Sequence, residues 1–238
     1  PQGGADIHFL RLEELLRAAG HDVAVFAMHD QRNRPSPWTK YFVSHVAFSQ
    51  PKLSCEGLRV VGRMFWSFEA QRKMRDLIKV FQPDVVHIHN IYHQLTPSIF
   101  APIRKANIPI VMTLHDYAMI SPNYSLFANG KICEDGKDTS YWSMVSHRSI
   151  KHSRLASFVD VLAYQLQGGS AVYISNVKKF ISPSAFLASY VQGWLKQSLP
   201  ISVLPNFTDT STVSAPKERR VLYVGRLSQE KGIDVLLR

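Results

Sequence analysis

The sequence predicts an α/β fold in which a doubly wound parallel sheet carries helices on both faces. Short apolar runs typical of buried strands alternate with segments whose apolar residues repeat at helical spacing. The connections between them are short, and such an alternation favours parallel strands joined by helical crossovers. In sheets of this kind ligands bind at the carboxyl ends of the strands, so polar residues directly after strands are the candidates for function.

The composition limits the classes of protein to consider. Hydrophobic residues fill 45% of the 238 positions and charged residues only 19%, so a sizeable core is expected and disorder is not. The formal charge of +10 favours an anionic partner, either nucleotide phosphates or an anionic membrane surface. Nucleic acid is disfavoured, because no DNA- or RNA-binding signature is present. Cys55 and Cys133 lack disulfide or metal-ligand spacing, which favours a cytoplasmic setting.

The first half of the chain predicts helices and strands in alternation. Gly20 suits the C-terminal cap of the first helix, and Pro83 ends a later one. The predicted elements are a helix that includes 7–19, a strand over 23–26, a helix over 61–81, a strand over 84–89, a helix over 97–105 and a strand over 108–114. The basic side of the 61–81 helix is interpreted as solvated surface.

The second half begins with a long insertion over 117–147. The elements predicted after it are a helix over 149–167, a strand that ends at 181–184, a helix over 185–195, a strand over 201–204, a strand over 221–224 and the start of a helix at 231–232. The polar stretch 208–218 is typical of a linker. We therefore expect a first domain over 1–207, and over 219–238 the beginning of a second.

Gly3 and Gly4 precede the first helix and are the first candidate site. Two glycines let a backbone approach a ligand closely, and a helix N-terminus can hold an anion. A plain turn is the alternative. The pair does not form a G-x-G-x-x-G fingerprint, which disfavours a nicotinamide cofactor.

Histidines follow two of the predicted strands. His87 and His89 share one side of a strand, and Asn90 begins the loop after it. No third metal ligand is spaced nearby, so packed or hydrogen-bonded histidines are favoured over a metal site. His115 ends the next strand beside Asp116, where it could donate a hydrogen bond or transfer a proton; a structural histidine is the alternative. No G-x-S-x-G elbow supports a hydrolase.

The last candidate is the turn between the strand over 221–224 and the helix after it. Arg226 and Lys231 lie on this turn, where two cations and a helix N-terminus could grip a diphosphate. A pair of surface charges is the alternative. The order of a Walker loop is absent.

Taken in order, these segments resemble the retaining glycosyltransferases of family 4, which have the GT-B fold. The residues that carry the resemblance are Gly3-Gly4-Ala5-Asp6, Gly20-His21-Asp22-Val23, Pro83 to His89, Thr113-Leu114-His115-Asp116, Ile181-Ser182-Pro183-Ser184, Pro205-Asn206-Phe207, Val224-Gly225-Arg226-Leu227 and Lys231-Gly232. Each motif is weak alone, but their order and spacing together are specific. The resemblance covers nearly the whole chain.

The resemblance implies two Rossmann-like domains that face each other across a cleft. The first binds the acceptor and the second the nucleotide-sugar, so this chain would hold the acceptor domain and a truncated second domain. His115 would contact the donor sugar, and Arg226 and Lys231 would stabilise the diphosphate leaving group. The residues expected to bind donor phosphates or substrate are Gly3, Gly4, Asn90, Asp116 and Tyr117. The resemblance also implies that no metal cofactor is needed, which is consistent with the absence of a D-x-D motif.

The function implied is a sugar transfer in cell-surface polysaccharide or glycolipid assembly. A lipid-linked acceptor would place the protein in the cytoplasm, with peripheral contact to the anionic inner membrane face. The family's first strand, expected ahead of Gly3, and most of the second domain are missing, so this chain alone is expected to be inactive. The alternatives are a non-catalytic acceptor-binding or truncated module and a GT-B nucleotide-sugar epimerase.

Overall fold

The structure is a computed structural model that describes residues 3–46, 61–208 and 219–237. Its helices are α1 (Gly4–Ala18), α2 (Phe68–Phe81), α3 (Phe100–Lys105), α4 (Ser143–His147), α5 (Arg154–Leu166), α6 (Gly169–Asn176), α7 (Ala185–Leu195) and α8 (Ile233–Leu236). Its strands are β1 (Val86–Ile88), β2 (Ile110–Thr113), β3 (Phe127–Ala128), β4 (Lys131–Ile132), β5 (Lys179–Ser182) and β6 (Ile201–Val203). Residues 61–65 are also helical.

Within these ranges four strands form a parallel sheet in the order β1-β2-β5-β6. The register sets Val86 opposite Ile110 and Met112 opposite Phe180. Helices join each strand to the next, because parallel neighbours need a crossover from one end of the sheet to the other. The predicted α/β fold, a parallel sheet flanked by helices, is confirmed.

The core lies on the faces of this sheet. Ile110, Met112 and Phe180 are at most 2% exposed, and the buried side chains Met74 of α2 and Val191 of α7 belong to the same cluster. Burial of this kind is the main stabilising contribution to a domain. It fixes the strands, and with them the residues at their carboxyl ends.

Serine caps explain where several helices begin. The prediction of one continuous helix over 61–81 is wrong, because the helix is interrupted at 66–67, where the Ser67 hydroxyl accepts a hydrogen bond from the Ala70 N–H. Helix α5 begins at Arg154 rather than at 149, because Ser153 caps it in the same way. A cap satisfies an N–H group that the helix itself leaves without a partner. The predicted helix over 185–195 is confirmed, with Ser184 as its cap.

The predicted strand over 23–26 is not formed. This segment and the edge strand β1 both line a cavity of about 1300 Å³, and none of the described backbone hydrogen bonds joins the two. The pairing described nearby is one bridge between Met28 and Val43. Residues of α1, among them Phe9 and Leu12, also line the cavity.

The predicted strand over 221–224 is not formed either. Val221, Leu222 and Val224 are 84–85% exposed, since no described strand lies beside them. Helix α8 does begin directly after Gly232, as predicted. Of the expected linker over 208–218, residues 209–218 lie outside the described residues, and the division into domains stays a prediction. None of the helices that the structure describes is long and apolar enough to cross a bilayer.

Candidate histidine site at the carboxyl ends of the strands

The candidate site lies where β1 and β2 end side by side. His89 and Asn90 follow β1, and His115 and Asp116 lie just beyond β2. The backbone turns sharply at Asn90, which has a φ of +26°, a conformation that Asn tolerates better than most residues. Because both strands run in the same direction, their polar ends meet at one edge of the sheet.

Four histidines gather at this edge, and we call them the histidine cluster: His8, His87, His89 and His115. The ring centroid of His89 lies 4.3 Å from that of His87 and 5.2 Å from that of His115. His8 comes from α1, and its centroid is 5.4 Å from that of His115. On its other side His8 contacts the ring of Phe207 at 5.0 Å. The cluster thus joins α1, two strand ends and the loop after β6.

Two hydrogen bonds order the rings. His87 Nε2 lies 2.8 Å from the Thr113 hydroxyl oxygen, and His89 Nδ1 lies 2.9 Å from His115 Nε2. A hydrogen bond between two neutral imidazoles requires one nitrogen to carry the proton and the other to accept it. The tautomers of His89 and His115 are therefore linked.

Burial keeps the cluster neutral. Loss of hydration lowers the pKa of His89 to about 2 and the pKa values of His87 and His115 to about 4, and the neighbouring histidines lower them further. Burial also lowers the pKa of His8. At neutral pH these side chains therefore act through hydrogen bonds between neutral rings rather than as cations or strong acids.

Asp116 anchors the turn after β2. Its Oδ1 accepts hydrogen bonds from the Tyr92 hydroxyl at 2.7 Å and from the Ala118 N–H at 2.9 Å. Burial raises the pKa of Asp116, although both hydrogen bonds act in the opposite direction. The carboxyl group thus ties the loop after β1 to the loop after β2.

Two buried polar atoms at the site have no hydrogen-bond partner among the described residues. They are His8 Nδ1 and Asn90 Oδ1. Buried polar atoms in proteins are nearly always hydrogen-bonded, so each of these atoms needs a partner, which an ordered water or a ligand can supply. They lie next to His115 and His89, on the same edge of the sheet. A ligand rich in hydroxyl groups could satisfy both.

The histidines are not arranged as a metal centre. In the part of the chain that the structure describes, no group of three or more His, Cys, Asp or Glu side chains could hold a metal ion. The alternation that places His87 and His89 on one side of β1 leads instead to the contact between their rings.

The structure brings three of the residues predicted from the sequence together at this edge: Asn90, His115 and Asp116. Gly3 is the N-cap residue of α1, and Gly4 begins the helix. At both positions the described residues, apart from the chain neighbours and the helix's own backbone, leave the 4 Å around a Cβ position open, so they leave space there for a ligand. Tyr117 points elsewhere, with its ring against Tyr190 of α7 at 5.3 Å. The roles of all these residues stay predictions.

Arg226 and Lys231 are on the surface and are not brought to the cluster. The Arg226 side chain is 72% exposed and forms an ion pair with Glu230 at 3.4 Å. Lys231 ends a short 3-10 turn and is also exposed. Neither residue contacts His115 within the described interactions, so a joint role would require the two regions to approach.

Sequence reasoning missed two residues of the site, His8 and Tyr92. His8 follows Gly4 by four positions, so it shares the helix face that turns toward the strand ends. That spacing was available from the sequence. No sequence pattern predicts the role of Tyr92, because its hydrogen bond to Asp116 depends on how the loops after β1 and β2 meet.

Comparisons with known proteins agree with the fold. The family described as Glycosyltransferase Family 4 matches residues 2–212, a range that includes the histidine cluster and excludes Arg226 and Lys231. A Klebsiella pneumoniae protein described as an uncharacterized 42.6 kDa protein in the cps region is 23% identical over 241 residues. The match covers 98% of this chain and 59% of that protein, so the chain spans little more than half of the relative's length. No solved structure matches.

Proposed function

The chain belongs to glycosyltransferase family 4, and from this we propose that the whole protein transfers a sugar from a nucleotide-sugar donor, with retention, to a saccharide or lipid-linked acceptor. The observation that carries the proposal is the histidine cluster at the carboxyl ends of β1 and β2, with two buried polar atoms left for a ligand. Ligands bind at this edge in parallel α/β sheets.

We assign His115 a positioning role at the sugar. Its low pKa keeps the ring neutral, so it donates or accepts a hydrogen bond and does not act as a general acid at neutral pH. Asn90 Oδ1 would accept a hydrogen bond from a sugar hydroxyl. His89 fixes the tautomer of His115 through their shared hydrogen bond.

We assign the diphosphate leaving group to Arg226 and Lys231, supported by Gly3 and Gly4. A departing diphosphate gains negative charge in the transition state, and fixed cations there lower the barrier without a metal ion. The exposure of both side chains leaves them available once the donor draws the two regions together.

The biological setting that we propose is polysaccharide assembly at the cytoplasmic face of a membrane. The similarity to a protein described as lying in a cps region supports a polysaccharide as the product. The net charge of +10 supports contact with anionic lipid. A lipid-linked acceptor would then approach the site from the bilayer.

The test is substitution at the site of the whole protein. His115→Ala and Lys231→Ala are each expected to lower kcat about 100-fold or more, as loss of a group that stabilises developing charge or orients the reacting sugar usually does. Exposed residues of the same type give the matched controls His21→Ala and Lys178→Ala. Release of nucleoside diphosphate is measured with a panel of nucleotide-sugars, and the anomeric configuration of the product by NMR.

Wild-type rates in both site variants, with unchanged melting temperatures, would refute the assignment of these residues. An inverted product would refute retention. We further expect the 238-residue chain alone to turn over none of these donors, and measurable product from it would overturn that expectation.

A further inference from the structure

Helix α5 carries an apolar face that the described residues leave exposed. Leu155, Phe158 and Leu166 are 73%, 43% and 67% exposed, and Leu162 between them is half-buried. Their spacing of three, four and four positions places them on one side of the helix. Buried residues of α5 on other sides, among them Val161, already supply its contact with the core. The helix therefore has more apolar surface than the described part of the chain covers.

Helix α4 extends this surface. Trp142, at the start of α4, is 39% exposed, and its ring centroid lies 5.6 Å from that of Phe158. We call Trp142, Leu155, Phe158, Leu162 and Leu166 together the outer face. Single exposed apolar residues are ordinary on a protein surface, but a contiguous group of this size usually marks a contact with another molecule.

Positive charge borders one end of the outer face. Arg148 and Arg154 are exposed there, and no acidic residue occurs from 148 to 159. Lys151 lies between them and acts electrostatically on Asp160. A second acidic group that meets this segment, Asp135, is hydrogen-bonded to the side chains of His147 and Ser149 and not to Arg148 or Arg154 in the described contacts. The border is therefore positive, and a partner that meets it should be negative.

We propose that the outer face docks on an anionic lipid bilayer. Trp142, Phe158 and the leucines would enter the interface, where Trp prefers the level of the headgroups. Arg148 and Arg154 would lie over anionic headgroups, each strengthening binding by about fivefold. A second copy of the chain fits less well, because two chains that each carry a formal charge of +10 repel each other and the basic border would gain no anionic partner. Nucleic acid does not fit an apolar surface of this kind.

The proposal deepens the membrane contact proposed above by naming the surface, and it rests on the proposed function only through the lipid-linked acceptor. Its test uses no sugar donor or acceptor. The whole protein is sedimented with vesicles of phosphatidylcholine alone or mixed with phosphatidylglycerol. We expect binding to the mixed vesicles, weakened by salt, and much weaker binding to phosphatidylcholine.

The variants separate the apolar from the basic contribution. Leu155→Ser with Phe158→Ser is expected to weaken binding at least about tenfold. Arg148→Gln with Arg154→Gln is expected to weaken it about 25-fold on mixed vesicles only. The matched controls are Phe68→Ser with Val80→Ser and Arg72→Gln with Arg75→Gln. All four residues are exposed on α2, away from the outer face, so these substitutions should leave vesicle binding unchanged.

The outcomes are distinguishable. Equal loss in the control variants, or no binding of the wild-type protein to either vesicle, overturns the proposal. Self-association that Leu155→Ser with Phe158→Ser abolishes, in place of vesicle binding, assigns the face to a second copy and also overturns it. Vesicle binding without sugar transfer supports membrane docking through the outer face and refutes the proposed function. Sugar transfer to a soluble acceptor without vesicle binding supports the proposed function and refutes membrane docking.

Discussion

The histidine cluster should make the protein lose stability when the pH is lowered from about 7 to about 5. In the folded state burial holds the pKa of His89 to about 2 and that of His87 to about 4, whereas an unfolded chain returns both to about 6.5. Below that value the unfolded state binds more protons than the folded state. The free energy of unfolding therefore falls with pH until the folded rings themselves protonate.

The size of the fall in the free energy of unfolding depends on how far the pH is lowered below about 6.5, the pKa of histidine in the unfolded chain. From about pH 6.5 to about pH 5 each ring loses about 1.4 kcal/mol per pH unit, hence about 2 kcal/mol for His87 and the same for His89. His115 adds a smaller amount, because it is the least buried of the three. Asp116 acts in the opposite direction, since a raised carboxyl pKa stabilises the fold as pH falls. A net loss of about 4 kcal/mol is a large part of the stability of a typical domain.

Urea unfolding at a series of pH values measures the effect, and one variant isolates it. Gln hydrogen-bonds without titrating, so His89→Gln should remove about 2 kcal/mol of the pH-dependent loss, whatever it does to stability at neutral pH. The exposed residue His21 gives the control His21→Gln, which should keep the full loss. A free energy of unfolding that does not change between the two pH values, or a His89→Gln variant with the wild-type slope, would refute the reasoning.

Two further predictions concern single hydrogen bonds. Tyr92→Phe removes the hydroxyl that donates to buried Asp116 and should cost about 1–3 kcal/mol in urea unfolding, whereas Tyr124→Phe, at a residue that is 56% exposed, should cost almost nothing. Equal stabilities of the two variants would contradict the role of Asp116 as an anchor. Ser184→Ala removes the N-cap of α7 and should cost about 1 kcal/mol. Ser189→Ala, within the exposed side of the same helix, should be neutral or stabilising, and an equal cost there would contradict the cap.

The sheet and the strand ends were predictable because they follow from local patterns. Buried parallel strands are short apolar runs, and the polar residue that ends each run lies at the ligand edge whatever the details of packing. Asn90, His115 and Asp116 were found in this way. The start of α7 is equally local, because the helical pattern begins at Ala185 and the Ser184 cap acts through neighbouring residues alone.

The remaining features depend on partners distant in sequence. The apolar run over 23–26 has the composition of a strand, yet a strand forms only beside another backbone, and here none of the described backbone hydrogen bonds joins the run to β1. The apolar run over 221–224 also forms no strand, because no described strand lies beside it. The hydrogen bond between His89 and His115 joins positions 26 apart and depends on the register of β1 with β2, which no spacing within one strand determines.

The histidine cluster should stay neutral even at the lower pH that a protein docked on an anionic membrane would meet. A surface potential of about −30 mV concentrates protons about threefold near the bilayer, which lowers the local pH by about half a unit within a Debye length. At a bulk pH of about 7 a protein docked through the outer face would thus meet a pH of about 6.5, where exposed histidines are already half protonated. His87 and His115, with pKa values lowered to about 4, stay neutral there and keep the hydrogen bonds that position them. Burial of the cluster therefore lets the site keep one protonation state both in solution and at the membrane surface.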